Sequence, residues 1–217
     1  MSSTLKILLV DDHEVVRRGV ATLLADQPGW TVVAEAADGR VAIRLAKRHQ
    51  PDVVVMDIGM AELNGFEATR QIRRKVPTAE VLILSMHDSD ELVREVISAG
   101  ARGYVLKSDA GRQLIAAVEA VAKHEPFFTS KLAAKAYADS LKPKRRRGRP
   151  ALTSLTARER EVLQLMCEGH VSREVGERLA ISSRTVETHR KRLMKKVGVS
   201  TLLGLIRYAL RTRIVEP

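Results

Sequence analysis

Five short, β-branched runs recur through the first half of the chain: KILLV (6–10), TVVAEA (31–36), DVVVM (52–56), EVLILS (80–85) and GYVLK (103–107). A longer amphipathic stretch follows each one. Strands with no polar alternation have both faces covered, and helices between them supply the cover. The pattern therefore predicts a doubly wound, parallel five-stranded α/β domain. In such folds function gathers at the carboxyl ends of the strands.

The polar residues at those ends are Asp11 and Asp12 after the first run, Asp57 after the third, Ser85 after the fourth and Lys107 after the fifth. Adjacent carboxylates repel one another, more strongly in a drier site, so Asp11 and Asp12 require compensation. Three carboxylates with one lysine and one hydroxyl make a pocket for a hard divalent cation, Mg2+ above all. The same cation suits the oxygens of a phosphoryl group transferred to Asp57 as nucleophile, with Lys107 and Ser85 adding charge and a hydrogen bond. Taken singly, each residue has a plainer use: Asp11 or Asp12 as the N-cap of a helix starting at Glu14, Lys107 as a solvated side chain, Ser85 as a loop hydroxyl. All five at strand ends of one domain favour the pocket.

Charge divides the chain. Residues 1–125 hold 16 Lys plus Arg against 18 Asp plus Glu, whereas residues 126–217 hold 21 against 8, a net +13 suited to a polyanion. Three regions follow: 1–125, a connector over 126–151, and a basic domain over 152–217. No stretch approaches the roughly 20 apolar residues of a membrane span, and the amino terminus lacks a signal-peptide core, which implies a cytoplasmic protein without a membrane partner. The lone Cys167 reads as a small buried apolar residue on a helix. PFFTSKLAAKAYADSL (126–141) reads as a short helix capped near Thr129 or Ser130. KPKRRRGRPALTS after it cannot pack a core and reads as a charged hinge. Within it, RGRP resembles the core of an AT-hook, which would lay Arg147 and Arg149 into a narrow minor groove.

In the basic domain, Thr156 and Glu159 form a capping-box pattern before a helix with Val162, Leu163, Leu165 and Met166 on its apolar face, ended by Gly169. Helices over 172–180 and 183–198, joined by a short turn, predict a helix-turn-helix, and a fourth helix over 201–212 completes a small all-α domain. Along 183–198, Val186, His189, Leu193 and Val197 form a core stripe. Arg184, Thr188, Lys191 and Lys195 form a second stripe, with Glu187 beside it, on the face left to read DNA. His189 belongs in or beside the core, since the histidines show no metal-ligand spacing. Leu202, Leu203, Leu205, Ile206 and Ala209 give the last helix apolar surface on more than one side, enough for a core and a partner.

The order DD, D, S, K, with DIGMAELNGFEATRQI and SAGARGYVLKS around its later members, resembles the receiver domain of bacterial two-component response regulators over roughly 4–123. The resemblance implies phosphate accepted on Asp57 from a sensor histidine kinase. It also implies Mg2+ on Asp11, Asp12, Asp57 and the Gly59 carbonyl, Lys107 on the phosphoryl group, and Ser85 with Tyr104 as a switch pair in which Tyr104 turns inward after phosphorylation. LTAREREVL, ISSRTVETHRKRLMKKVGV and RYAL resemble the LuxR-type helix-turn-helix of the NarL/FixJ regulators over roughly 152–213. That resemblance implies base contacts from Glu187, Thr188 and Lys191, and backbone contacts from Arg184, Thr185, Arg190 and Lys195. It further implies a homodimer through the last helix on promoter DNA, with RNA polymerase a further candidate partner. Glu14 and Ala61 stand where related sequences have proline, Ser172 where they have asparagine, and Gly176, where they have alanine, is expected to weaken its helix. The functional expectation is a phosphorylation-dependent transcriptional regulator rather than an enzyme. The alternatives are a DNA-binding regulator whose receiver is a phosphorylation-independent dimerisation module, and an aspartyl-phosphate phosphatase, against which DIG lacks a second aspartate two residues on.

Overall fold

The computed structural model describes residues 4–87, 90–129, 134, 137–138 and 155–211. The chain divides into two compact units, Met1–Lys144 and Arg145–Pro217.

In the first unit strands and helices alternate: β1 (Leu5–Val10), α1 (Glu14–Ala25), β2 (Trp30–Ala36), α2 (Gly39–His49), β3 (Val53–Asp57), α3 (Gly65–Lys75), β4 (Glu80–Ser85), α4 (Asp90–Ala99), β5 (Gly103–Leu106) and α5 (Ala110–Ala122). A short sixth strand, β6 (Phe127–Phe128), follows. The order across the sheet is β2-β1-β3-β4-β5-β6, with every pair parallel. Alternate strand residues face opposite sides. Leu8, Val10, Val54, Met56, Val81 and Ile83 join the core that includes Ala42, Ile72 and Val96. Ile7, Leu9, Val53, Val55, Leu82 and Leu84 join the opposite one with Leu24, Leu114 and Val118. Every residue of β3 and β4 is buried, which is why these runs carry no polar alternation.

The sixth strand corrects the expected five, and it lies just ahead of the helix cap expected near Thr129 or Ser130. Two phenylalanines favour an extended backbone at the sheet edge. Phe127 pairs with Gly103 and Phe128 with Tyr104, while the Thr129 amide donates to the Tyr104 carbonyl at 3.1 Å. Of the helix expected beyond this strand, Ala134, Tyr137 and Ala138 are helical, whereas its other residues from Ser130 on, and the Arg147 and Arg149 of RGRP, lie outside the described residues.

The second unit holds α6 (Ala157–Cys167), α7 (Ser172–Leu179), α8 (Ser183–Val197) and α9 (Leu202–Arg211), in the places the sequence suggests. The capping box forms: the Thr156 hydroxyl accepts from the Glu159 amide at 3.2 Å and the Glu159 carboxylate from the Thr156 amide at 2.8 Å. Leu155, Leu163, Leu193, Leu205 and Ala209 make one cluster, and Val162, Leu165, Val175, Leu179 and Val186 another. The glycine at 176 reflects packing rather than weakness, because a Cβ there would lie 2.7 Å from the Ile181 carbonyl oxygen in the α7–α8 turn. Among the described residues no helix is long and apolar enough to cross a membrane.

Candidate metal centre and nucleic-acid interface

Four of the expected residues meet at the carboxyl edge of the first sheet. The Lys107 ammonium, in the 3-10 turn Lys107–Asp109 after β5, lies 2.9 Å from Asp11 Oδ2 and 3.0 Å from Asp57 Oδ1. Asp11 and Asp57 are buried, whereas Asp12 is exposed. Side-chain donor atoms of Asp11, Asp12, His13 and Asp57 all lie within 4.8 Å of one another. Three carboxylates against one ammonium leave a negative excess that a divalent cation would cancel, so the donor set fits a hard cation. His13, which sequence reasoning missed, joins them with Nδ1 2.8 Å from Asp12 Oδ1 and 3.4 Å from Asp11 Oδ1. The one signal for it was its place next to the aspartate pair.

Burial pushes the Asp57 carboxyl up to about 6; Lys107 opposes the rise, and the neighbouring Asp11 adds to it. Burial disfavours the Lys107 charge, yet Asp11 and Asp57 hold that ammonium above its ordinary range. The N-cap of α1 is His13, not Asp11 or Asp12, and Asp11 Oδ1 accepts the His13 amide at 2.8 Å. The capping alternative for the two aspartates therefore fails, leaving their carboxylates to the pocket.

Gly59 is half-buried in the loop between β3 and α3. That loop closes tightly on the site: the Gly65 amide donates to the Ile58 carbonyl at 3.0 Å, and a Cβ on Gly65 would sit 2.0 Å from the Asp57 carbonyl oxygen. The Asp57 Oδ1 atom accepts the Ile58 amide at 2.8 Å.

Ser85 is buried at the end of β4, but its hydroxyl is engaged with the backbone of His87, accepting from the amide at 3.1 Å and donating to the carbonyl at 3.2 Å. Tyr104 donates its hydroxyl to the same carbonyl, and its ring is fully buried. Ser85 and Tyr104 thus meet at one backbone carbonyl, with the Tyr104 ring inside the core. That ring shares a core with Leu92, Val93 and Val96 of α4, and that packing holds it.

In the second unit α8 separates its faces as its spacing suggests. Val186 and Leu193 are buried, while His189 and Val197 sit half-buried at the core edge. Arg184, Thr185, Thr188, Lys191 and Lys195 are exposed. Thr185 also serves the helix start, its amide donating to the Ser182 hydroxyl at 3.1 Å, and the Thr188 hydroxyl donates to the Arg184 carbonyl at 3.0 Å. Glu187 and Arg190 are half-buried and paired, Nη2 to Oε2 at 3.2 Å. On α9, Leu205 and Ala209 complete the core while Leu202 and Leu203 are 43% and 59% exposed.

Known proteins bear on both units. The family described as response regulator receiver domain matches residues 7–119, and that described as bacterial regulatory proteins, luxR family, matches residues 153–209. The transcriptional regulatory protein LiaR of Bacillus subtilis is 40% identical over 214 residues, covering 98% of this chain and 100% of LiaR. The crystal structure of ChrA, a response regulator of a heme-sensing two-component system, is 32% identical over 99% of this chain and 100% of its own, with a TM-score of 0.51. RcsB from Salmonella enterica serovar Typhimurium, solved bound to a promoter with the phosphomimetic BeF3−, is 26% identical over 95% of this chain and 98% of its own, with a TM-score of 0.63. A receiver followed by a LuxR-type helix-turn-helix defines a two-component response regulator that binds DNA and regulates transcription. This chain belongs to that class, among the NarL/FixJ-type regulators.

Proposed function

We propose that Asp57 accepts a phosphoryl group from a sensor histidine kinase and that the added charge shifts the chain toward a dimer on promoter DNA. The receiver spans 1–125, the connector 126–151 and the DNA-binding domain 152–217. The observation that carries the reading is the Lys107 ammonium bridging Asp11 and Asp57, with Asp12 beside them. Asp11, Asp12, Asp57 and the Gly59 carbonyl would hold Mg2+, which when bound supplies charge compensation for the phosphoryl oxygens. Lys107 and the Ile58 amide hold Asp57 Oδ1, so Oδ2 is the oxygen that attacks phosphorus. The P–N bond to the kinase histidine breaks, and the imidazole keeps the electron pair and takes up a proton. The Ser85 hydroxyl exchanges His87 for the new anion, and the Ser85–His87–Tyr104 set passes the change to the surface of β4 and α4.

On DNA, Glu187, Thr188 and Lys191 face base edges while Arg184, Thr185, Arg190 and Lys195 face phosphates. Exposed Leu202 and Leu203 supply a two-fold contact, placing two readers about one helical turn, roughly 10 base pairs, apart. RNA polymerase is the partner reached from the promoter.

Incubation with labelled acetyl phosphate and Mg2+ tests this reading. Label is expected on the wild type, absent from Asp57→Asn and absent with a chelator, and DNA affinity rises with it. A chain that takes no label yet binds its promoter tightly supports the second reading, a phosphorylation-independent dimerisation module, for which the burial of Tyr104 speaks.

A further inference from the structure

Glu187 lies among cations on the reading helix, and its carboxylate is held from two sides. The hydroxyl of Ser172, the first residue of α7, donates to Oε1, and the Arg190 guanidinium lies 3.2 Å from Oε2. Ser172 has no capping duty to perform. The N-cap of α7 is Val171, whose amide is satisfied by the Glu174 carboxylate at 3.1 Å, so the serine hydroxyl reaches across to another helix instead.

A carboxylate is an acceptor only, and it repels phosphate. In a major groove its partner is therefore an amino group on a base edge, for which the N4 amine of cytosine is the matching donor. Each carboxylate oxygen has two lone pairs, so one stays open after the Ser172 and Arg190 contacts are made. Unheld, a glutamate on an exposed helix face samples several rotamers and loses directional reading.

We infer that Ser172 is a positioning residue for base readout: acting from α7, it aims Glu187 of α8 at a single cytosine in each half-site. The inference rests on the reading of α8 as the DNA-contacting helix.

The test uses the full chain treated with acetyl phosphate and Mg2+, selecting from a randomised duplex library, with affinity for a mixed-sequence duplex measured in parallel. The wild type enriches cytosine at one position per half-site, and Glu187→Gln loses that preference. Ser172→Ala lowers it by about three- to tenfold, the worth of one hydrogen bond, while other positions and the mixed-sequence affinity stay unchanged. Ser172→Thr, which keeps the hydroxyl, retains the preference. Equal flattening at every position in Ser172→Ala marks a merely structural tie between α7 and α8 and overturns the inference. A wild type that enriches no sequence fails the DNA-reading assignment itself, whereas a clear wild-type profile unmoved by Ser172→Ala fails this inference alone.

Discussion

Folding raises the pKa of Asp57 from 3.8 to about 6, so the folded chain favours the protonated acid. That contribution is whole below 3.8 and is lost as the pH climbs through about 6, so at pH 7 the carboxylate weighs against the fold. Asp57→Asn is accordingly expected to stabilise the first unit by about 1–3 kcal/mol in urea unfolding at pH 7 without divalent cation. The gap should close by about pH 4, and Mg2+ should stabilise the wild type alone. Glu80 shows the opposite sign. Its carboxylate is buried, yet Arg102 at 3.1 Å, His124 at 2.9 Å and Arg73 at 3.0 Å outweigh the desolvation and hold its pKa below 4.5. Its contribution is full above 4.5 and is lost as the pH falls through the lower folded value. Glu80→Gln should cost about 1–3 kcal/mol at pH 7, with the difference from wild type shrinking in acid; an undiminished difference at pH 3 would remove this account.

Among the elements, the N-terminus of α6 is tied more firmly than its cap alone requires. Glu159 is buried, and it accepts both the Thr156 amide and the Lys196 ammonium, 2.7 Å away near the end of α8. Burial works against its charge, but Lys196 and the Thr156 amide together hold its pKa down. Thr156→Ala should cost the second unit about 1 kcal/mol and Glu159→Ala about 2 or more, read as the fall in thermal midpoint of the second unit. Thr156 and Glu159 were legible as a capping box because the motif is local. The Lys196 tie was not, since it depends on how two helices cross. The same division runs through the first unit. Runs such as DVVVM declare a buried parallel strand by themselves, and parallel topology then brings Asp11, Asp57 and Lys107 to one rim. Phe127–Phe128 is too short to show a period, and its strand exists only because β5 offers an edge.

For the whole molecule the uneven charge has a measurable signature. A reader whose Arg184, Arg190 and Lys195 face phosphates should bind duplexes with steep salt dependence, because each phosphate contact releases counterions. Lys195→Ala should reduce the slope of log affinity against log salt by about 1 with little change in sequence preference, whereas Thr188→Ala should alter preference and spare the slope; both are read by fluorescence anisotropy across a salt series. What the sequence could not disclose at this scale is the side-chain economy of the interface: nothing in SREVGERLA reveals that Ser172 leans on Glu187. The placement of Asp57 has one more implication. It closes a strand hydrogen-bonded on both sides, and its carbonyl is pressed against Gly65, so an acceptor there, as proposed above, would be an anvil that cannot recoil when struck by new charge. All yielding would then fall to the neighbouring loops, and one small blow at the rim would become a displacement elsewhere.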